Sequence, residues 1–271
     1  MNYRHAFHAG NFADLVKHAA LLQLLGRMTT GEPLTVIDTH AGRGLYDLAG
    51  AEAKKSGEAD AGIVRLMALA DPPPDFAGLT AAVRALNKGA AVRRYPGSPW
   101  LIGQALRPGD NYLACELRPD EHAALRDLMK PRRNVRTLCA DGYEAAAQAP
   151  ASGKVLVLID PPFERADDYG RIVEALAGLR RRNRSAVALA WLPLKDLETF
   201  DGFLRGLEDE VGAPVLVAET RMRPLTDPMK MNGCALVLLG APGGMAGVLE
   251  AVCGWTAATL GERGEARVYE V

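Results

Sequence analysis

The sequence predicts an α/β fold with a doubly wound, mostly parallel central sheet, and three observations carry that prediction. Apolar runs bounded by glycine, proline or acids recur along the 271 residues. The early runs are followed by stretches with apolar residues at i, i+3, i+4 and i+7, as in PDEHAALRDLM after Glu116 and DDYGRIVEALAGLRRR after Asp160, which is the helical period. Acids close several of the runs, and sheets of this kind hold their ligands at the carboxyl ends of the strands. With 48% hydrophobic and 24% charged residues, the chain can bury a large core and is neither disordered nor fibrous.

Taken in order, the elements begin with an N-terminal segment in which Asn11 and Asp14 form a capping pair that opens a helix over 12–27. LTVID (34–38) is the first strand, and Thr39-His40-Ala41-Gly42-Arg43-Gly44 follows it as a glycine turn. Residues 48–94 interrupt the alternation. They are alanine-rich, hold two helical patterns, DAGIVRLMALA and FAGLTAAVRALNK, and carry Pro72-Pro73-Pro74 between them. This stretch is expected to be a small helical insertion in a single domain over 1–271, with 1–28 as N-terminal tail and helix. The remaining strands are NYLACE (111–116), NVRTLCAD (134–141), KVLVLID (154–160), SAVALAWLP (185–193), APVLVAE (213–219), CALVLLG (234–240) and ARVYEV (266–271).

The four cysteines, at 115, 139, 234 and 253, contain no CxxC pair, so neither a zinc ribbon nor a disulfide framework is indicated. The spacing of His5, His8, His18 and His40 fits no zinc pattern, and no metal is expected. The start MNYRHAFHAGNFADL is too polar for a secretory signal, and no apolar run approaches the roughly 20 residues that span a bilayer. A cytoplasmic protein without membrane association is the expectation. A net charge of −1 requires any polyanion to meet local basic patches.

The strand ends carry the chemistry. Gly42 and Gly44 form either a tight βα turn or a place where backbone approaches a nucleotide-like ligand; the third glycine of GxGxxG is missing. Glu116 can accept both hydroxyl hydrogens of a ribose or simply favour the helix opening at Pro119. Asp141 can accept from an adenine amine, with Gly142 letting the ring lie close, or it can cap the YEAAAQ helix. Asp160 is the fourth acid, and one crevice lined in this way is the pattern of a class I S-adenosylmethionine-dependent methyltransferase.

Asp160-Pro161-Pro162-Phe163 adds a reaction. The exocyclic amine of adenine is a poor nucleophile because its lone pair is delocalised into the ring. Two acceptors on its hydrogens, the Asp160 carboxylate and the Pro161 carbonyl, favour a pyramidal nitrogen aimed at a sulfonium methyl. Proline fixes φ and brings no N–H that needs a partner. Phe163 offers a ring on which an unpaired base can stack, worth about 1–3 kcal/mol. Otherwise the tetrad is a proline-rich strand stop with Phe163 in the core.

The tetrad resembles the [D/N/S]-P-P-[Y/F/W] motif of amino-methyltransferases. Together with the run from Tyr3 to His18, YRHAFHAGNFADLVKH, and with DTHAGRG, YPGSP (95–99), ELRP (116–119), DGY (141–143) and MNG (231–233), it resembles the ribosomal RNA large subunit methyltransferase J family, which methylates adenine N(6) in 23S rRNA. The resemblance spans essentially the whole chain. It implies a monomeric, Rossmann-like class I methyltransferase that uses S-adenosyl-L-methionine, with 23S rRNA as partner. By matching motifs it implies cofactor contacts at His18, His40, Ser98, Glu116, Asp141 and Gly142, with Gly42, Lys17 and Asp160 beside them. It implies Asp160 as catalytic acceptor with Pro161 and Phe163, and Tyr3 approaching the target base. Phe163 stands where tyrosine is common, so no phenolic hydrogen bond belongs to the mechanism.

Basic clusters at Arg93-Arg94, Lys130/Arg132/Arg133, Arg180–Arg182 with Arg184, and Arg221/Arg223 with Lys230 are available to phosphates. Arg4, Arg221 and Lys230 are the expected RNA contacts, with Tyr3 and Phe163 at the base. A DNA adenine methyltransferase is the nearest alternative, but it would usually need a recognition domain larger than residues 48–94 provide. A dehydrogenase expects the third glycine and gives DPPF no role, and a simple RNA-binding module leaves the strand-end acids unexplained.

Overall fold

The structure, a computed structural model, describes residues 7–89, 91–226 and 231–271. The expectations for Tyr3, Arg4 and Lys230 lie outside the described residues. Helix α1 (Phe12–Met28) is opened as expected by Asn11, whose side chain accepts from the Asp14 N–H at 3.0 Å while the Asp14 carboxylate accepts from the Gly10 N–H at 2.9 Å. These reciprocal bonds satisfy donors that a helix start otherwise leaves unpaired.

Strand β1 (Leu34–Asp38) coincides with the LTVID run. After it the chain makes a short strand β2 (Leu45–Asp47), then α2 (Ala51–Ser56), a π-helical turn (Asp60–Val64), α3 (Arg65–Met67), a 3₁₀ turn (Pro74–Phe76) and α4 (Ala77–Leu86), and returns through β3 (Arg94–Pro96). β2 and β3 pair antiparallel as a separate ribbon, so the helical insertion leaves and re-enters the domain at one place. The ribbon and α2 were not anticipated. Three-residue strands lie below the length at which period-2 alternation is visible.

The second half follows as α5 (Ser98–Ala105), β4 (Asn111–Cys115), α6 (Pro119–Met129), β5 (Val135–Leu138), α7 (Gly142–Ala147), β6 (Lys154–Ile159), α8 (Asp168–Arg182), β7 (Val187–Leu194), α9 (Leu197–Val211), β8 (Val215–Arg221), β9 (Gly233–Leu239), α10 (Met245–Leu260) and β10 (Glu265–Glu270). The main sheet has the order β10-β8-β9-β7-β6-β1-β4-β5, with β5, β4, β1, β6 and β7 parallel and the β9, β8 and β10 pairings antiparallel. This is a Rossmann-like, doubly wound arrangement with an antiparallel edge.

Alternating strand residues feed two cores. Leu34, Val36, Leu156 and Leu158 pack with α1 and α10, and Ile37, Val155, Val157 and Ile159 pack with α8 and α9. From β1 the chain moves to β4 on one side and later to β6 on the other, so the topological switch opens at the carboxyl end of β1. Among the described residues, no helix is long and apolar enough to cross a membrane and no group of His, Cys, Asp and Glu is arranged to hold a metal ion.

Candidate active site

A cleft of about 380 Å³ lies over that switch. It receives Glu116 just after β4, Asp141 at the start of α7, and Asp160, Pro161 and Phe163 just after β6. His18, Lys17, His40, Gly42, Ser98 and Gly142 also line it. All nine expected cofactor positions therefore face one cleft.

Each acid is held by its neighbours. Glu116 accepts from the Gly42 N–H at 2.9 Å through one oxygen and from the Arg118 N–H at 2.8 Å through the other, which leaves a lone pair on each for a ligand. Burial raises its pKa despite those bonds. Gly42 has φ +62°, and a Cβ there would overlap the Tyr46 hydroxyl, so only glycine brings the turn this close.

Asp141 caps α7 by accepting from the Tyr143 N–H at 2.9 Å and pairs with Arg171 at 2.8 Å. Burial alone would raise its pKa, but the Arg171 guanidinium and the Tyr143 N–H together outweigh that and hold it below the usual carboxylate range. Arg171 lies 4.2 Å over the Tyr143 ring, and Tyr143 meets His40 edge-on at 5.0 Å. Sequence reasoning missed Arg171, which stands 30 residues from its partner with no local signal. Gly142 is required for a reason not anticipated: a Cβ would overlap the Thr39 carbonyl, so glycine lets α7 pack onto the β1 turn.

His40 sits against the Thr39 hydroxyl at 2.7 Å, and burial lowers its pKa to about 4, so it is a neutral imidazole at pH 7. His18 is buried, with Nδ1 2.7 Å from the Tyr95 hydroxyl. Ser98 donates to Asp38 at 2.7 Å, and Tyr112 donates to the same oxygen at 3.1 Å. Asp38 is fully buried, and burial, outweighing these two bonds, raises its pKa to about 7.

Lys17 stands apart from the other expected cofactor contacts. Its Nζ lies 2.5 Å from Asp160 and 2.9 Å from Asp14, and the side chain is buried. Burial disfavours the ammonium, but the two carboxylates more than offset it and raise the pKa above the ordinary value. Asp160 therefore faces a permanent cation. The Asp14–Lys17 spacing of three residues, one helical turn, was readable in the sequence; the Asp160 partner, 143 residues away, was not.

Phe163 adopts φ +50°, uncommon for an aromatic residue. Its ring packs against Tyr169 at 4.8 Å and Trp191 at 5.8 Å and still borders the cleft. Pro161 borders the cleft too, and its carbonyl has no hydrogen-bond partner among the described residues.

Of the basic residues, Arg221 is bound to Glu219 at 2.6 Å, and Glu219 also accepts from Tyr269 at 2.8 Å. Arg132, Arg180 and Arg182 donate to the carbonyls of Gly103, Arg184 and Ala149. Arg165 and Lys195, not singled out from sequence, border the cleft.

The residues fit S-adenosyl-L-methionine. The lining sets acceptors at Glu116, Asp141 and Ser98 for hydroxyl and amine hydrogens, and Gly42 provides a cradle that a Cβ would fill.

Comparison with known proteins identifies the family. Residues 31–270 match the family described as "Ribosomal RNA large subunit methyltransferase D, RlmJ". Two relatives named ribosomal RNA large subunit methyltransferase J, from Haemophilus influenzae and Escherichia coli, are 34% and 30% identical, each alignment covering 89% of this chain and 88% of the relative. A crystal structure of a Legionella pneumophila protein superposes with a TM-score of 0.87 at 28% identity, covering 97% of this chain and 98% of that one. The match along nearly the whole length places this chain in the ribosomal RNA large subunit methyltransferase family described as RlmJ.

Proposed function

We propose that the protein transfers a methyl group from S-adenosyl-L-methionine to the exocyclic N(6) amine of an adenine in 23S rRNA. The observation that carries this reading is Asp160 of the DPPF tetrad in the same cleft as Glu116 and Asp141. The rRNA substrate class rests on the names of the relatives. Bound S-adenosyl-L-methionine supplies an electrophilic sulfonium methyl. Glu116 and Asp141 orient the cofactor through their free lone pairs, with Ser98 and the neutral His40 beside them.

The target adenine stacks on Phe163. Asp160 and the Pro161 carbonyl accept its two amine hydrogens and free the nitrogen lone pair for the methyl that the bound cofactor would give up in leaving as S-adenosylhomocysteine, and Asp160 accepts one amine proton. Lys17 keeps a positive charge on the far side of that carboxylate. Tyr3 and Arg4, with Arg221 and Lys230, are the proposed RNA contacts. Action as a monomer is part of this reading, and an rRNA substrate supports a cytoplasmic location.

The test incubates labelled cofactor with protein-free 23S rRNA, assembled large subunits and genomic DNA. Label is expected in rRNA at adenine N(6), and label in DNA alone would reassign the substrate. Asp160→Ala is expected to abolish transfer while S-adenosylhomocysteine affinity, read by calorimetry, changes only several-fold; wild-type turnover in that variant removes Asp160 from the mechanism.

A further inference from the structure

The insertion is joined to the N-terminal segment by polar contacts rather than by apolar packing alone. Glu58, between α2 and the π-helical turn, accepts from the Asn11 amide at 2.9 Å through one oxygen, and its other oxygen lies 2.9 Å from His8 Nδ1. The Ile63 N–H donates to the Gly10 carbonyl at 2.8 Å, and the Ser56 hydroxyl donates to the Phe7 carbonyl. At Gly62 a Cβ would overlap the Gly10 carbonyl, so the π-helical turn sits directly on that backbone. A π-helical turn in a short helix often marks a functional position.

Asn11 and its neighbours continue the path inward. Asn11 caps Asp14, Asp14 holds Lys17, and Lys17 holds Asp160. Asn11, Asp14 and Lys17 are all buried, so this path runs through the interior between the insertion and the cleft. Given the proposed function, on which this inference rests, we infer that Glu58 is a positioning residue for methyl transfer. It fixes Asn11 and the first turn of α1, and through Asp14 and Lys17 it sets the orientation of the Asp160 carboxylate. The insertion is thereby part of the machinery that aims the acceptor, although it contributes no group to the target amine.

The experiment compares the full-length wild type, Glu58→Ala, Glu58→Gln, Asn11→Ala and the Glu58→Ala/Asn11→Ala double variant. Initial rates are taken with labelled S-adenosyl-L-methionine and protein-free 23S rRNA and expressed per cofactor-binding site, counted by calorimetry with S-adenosylhomocysteine. Glu58→Ala is expected to lower kcat on the order of tenfold, as displacement of a reacting group by a fraction of an ångström does, while KM for the cofactor stays within about threefold of wild type. Glu58→Gln retains an oxygen for Asn11 and is expected to recover most of the loss. The double variant is expected to be no slower than Asn11→Ala alone, because both act through one path. Wild-type kcat in Glu58→Ala, or independent additive losses in the double variant, overturns the inference. Asp160→Ala measured alongside separates the two levels: turnover there defeats the proposed function itself, whereas an inactive Asp160→Ala beside a fully active Glu58→Ala defeats only the role of Glu58.

Discussion

Asp38 shows how a single buried carboxyl shapes the behaviour of the protein with pH. Burial raises its pKa to about 7, against an unfolded value in the usual carboxylate range. The native state then holds a proton that the unfolded chain has released, so this group stabilises fully below the unfolded value and the contribution is lost as pH rises through about 7. His40, lowered to about 4, acts in the opposite sense between that value and its unfolded one, losing stability as pH falls. The two partly cancel, so the wild-type curve alone hides both. Asp38→Asn is therefore expected to gain stability relative to wild type as pH rises from 4 to 7, by on the order of a few kcal/mol across the window, measured by urea denaturation at each pH. A constant difference would show that Asp38 does not titrate there. Placement in the cleft was readable in the sequence where a residue stands at a strand end, as Asp160 and Glu116 do. What a residue touches was not readable where it serves a distant backbone, as Gly142 serves Thr39, or where it turns to a remote partner, as Arg171 turns to Asp141.

At the scale of elements, the eight strands of the main sheet were legible because each is an apolar run closed by a breaker or an acid, and β1 matches its run residue for residue. The first helix was legible from its cap. The β2–β3 ribbon was not, since its strands are three residues each and lie 46 residues apart between Asp47 and Arg94. Also hidden was how α1 is tied to the sheet: Lys17 links it to the end of β6 through Asp160. Removing one member of a buried ion pair leaves the others uncompensated, a loss of about 3–5 kcal/mol. Lys17→Met is expected to lower the urea midpoint accordingly, because Asp14 and Asp160 would then share a buried site without a cation. An unchanged midpoint would show that packing alone holds α1 in place.

For the whole molecule, charge sets the terms of RNA binding. The net charge is −1, and the cations near the cleft are largely committed: Arg43 to Glu121, Arg118 to Asp120, Arg165 to Asp167, Arg171 to Asp141. Among the described residues near the cleft, few are left to displace counterions from phosphate. The slope of log affinity for 23S rRNA against log salt is therefore expected to have a magnitude below about 4, measured by filter binding over a salt series; a steeper slope would show that these pairs open on RNA. Recognition then falls on the shape of the cleft more than on its field. The β2–β3 ribbon gives this architecture one more property. The chain enters and leaves the insertion through two adjacent backbone bonds, Leu48 N–H on the Arg93 carbonyl and Gly97 N–H on the Gly44 carbonyl, while Ile63, Leu66, Phe76 and Leu79 of the insertion are fully buried in the core shared with α1 and α10. A short loop closed across Asp47 and Arg94 would keep the ribbon yet strip the outer face of α1 of its cover, so trimming this excursion would cost the enzyme its framework together with its aim.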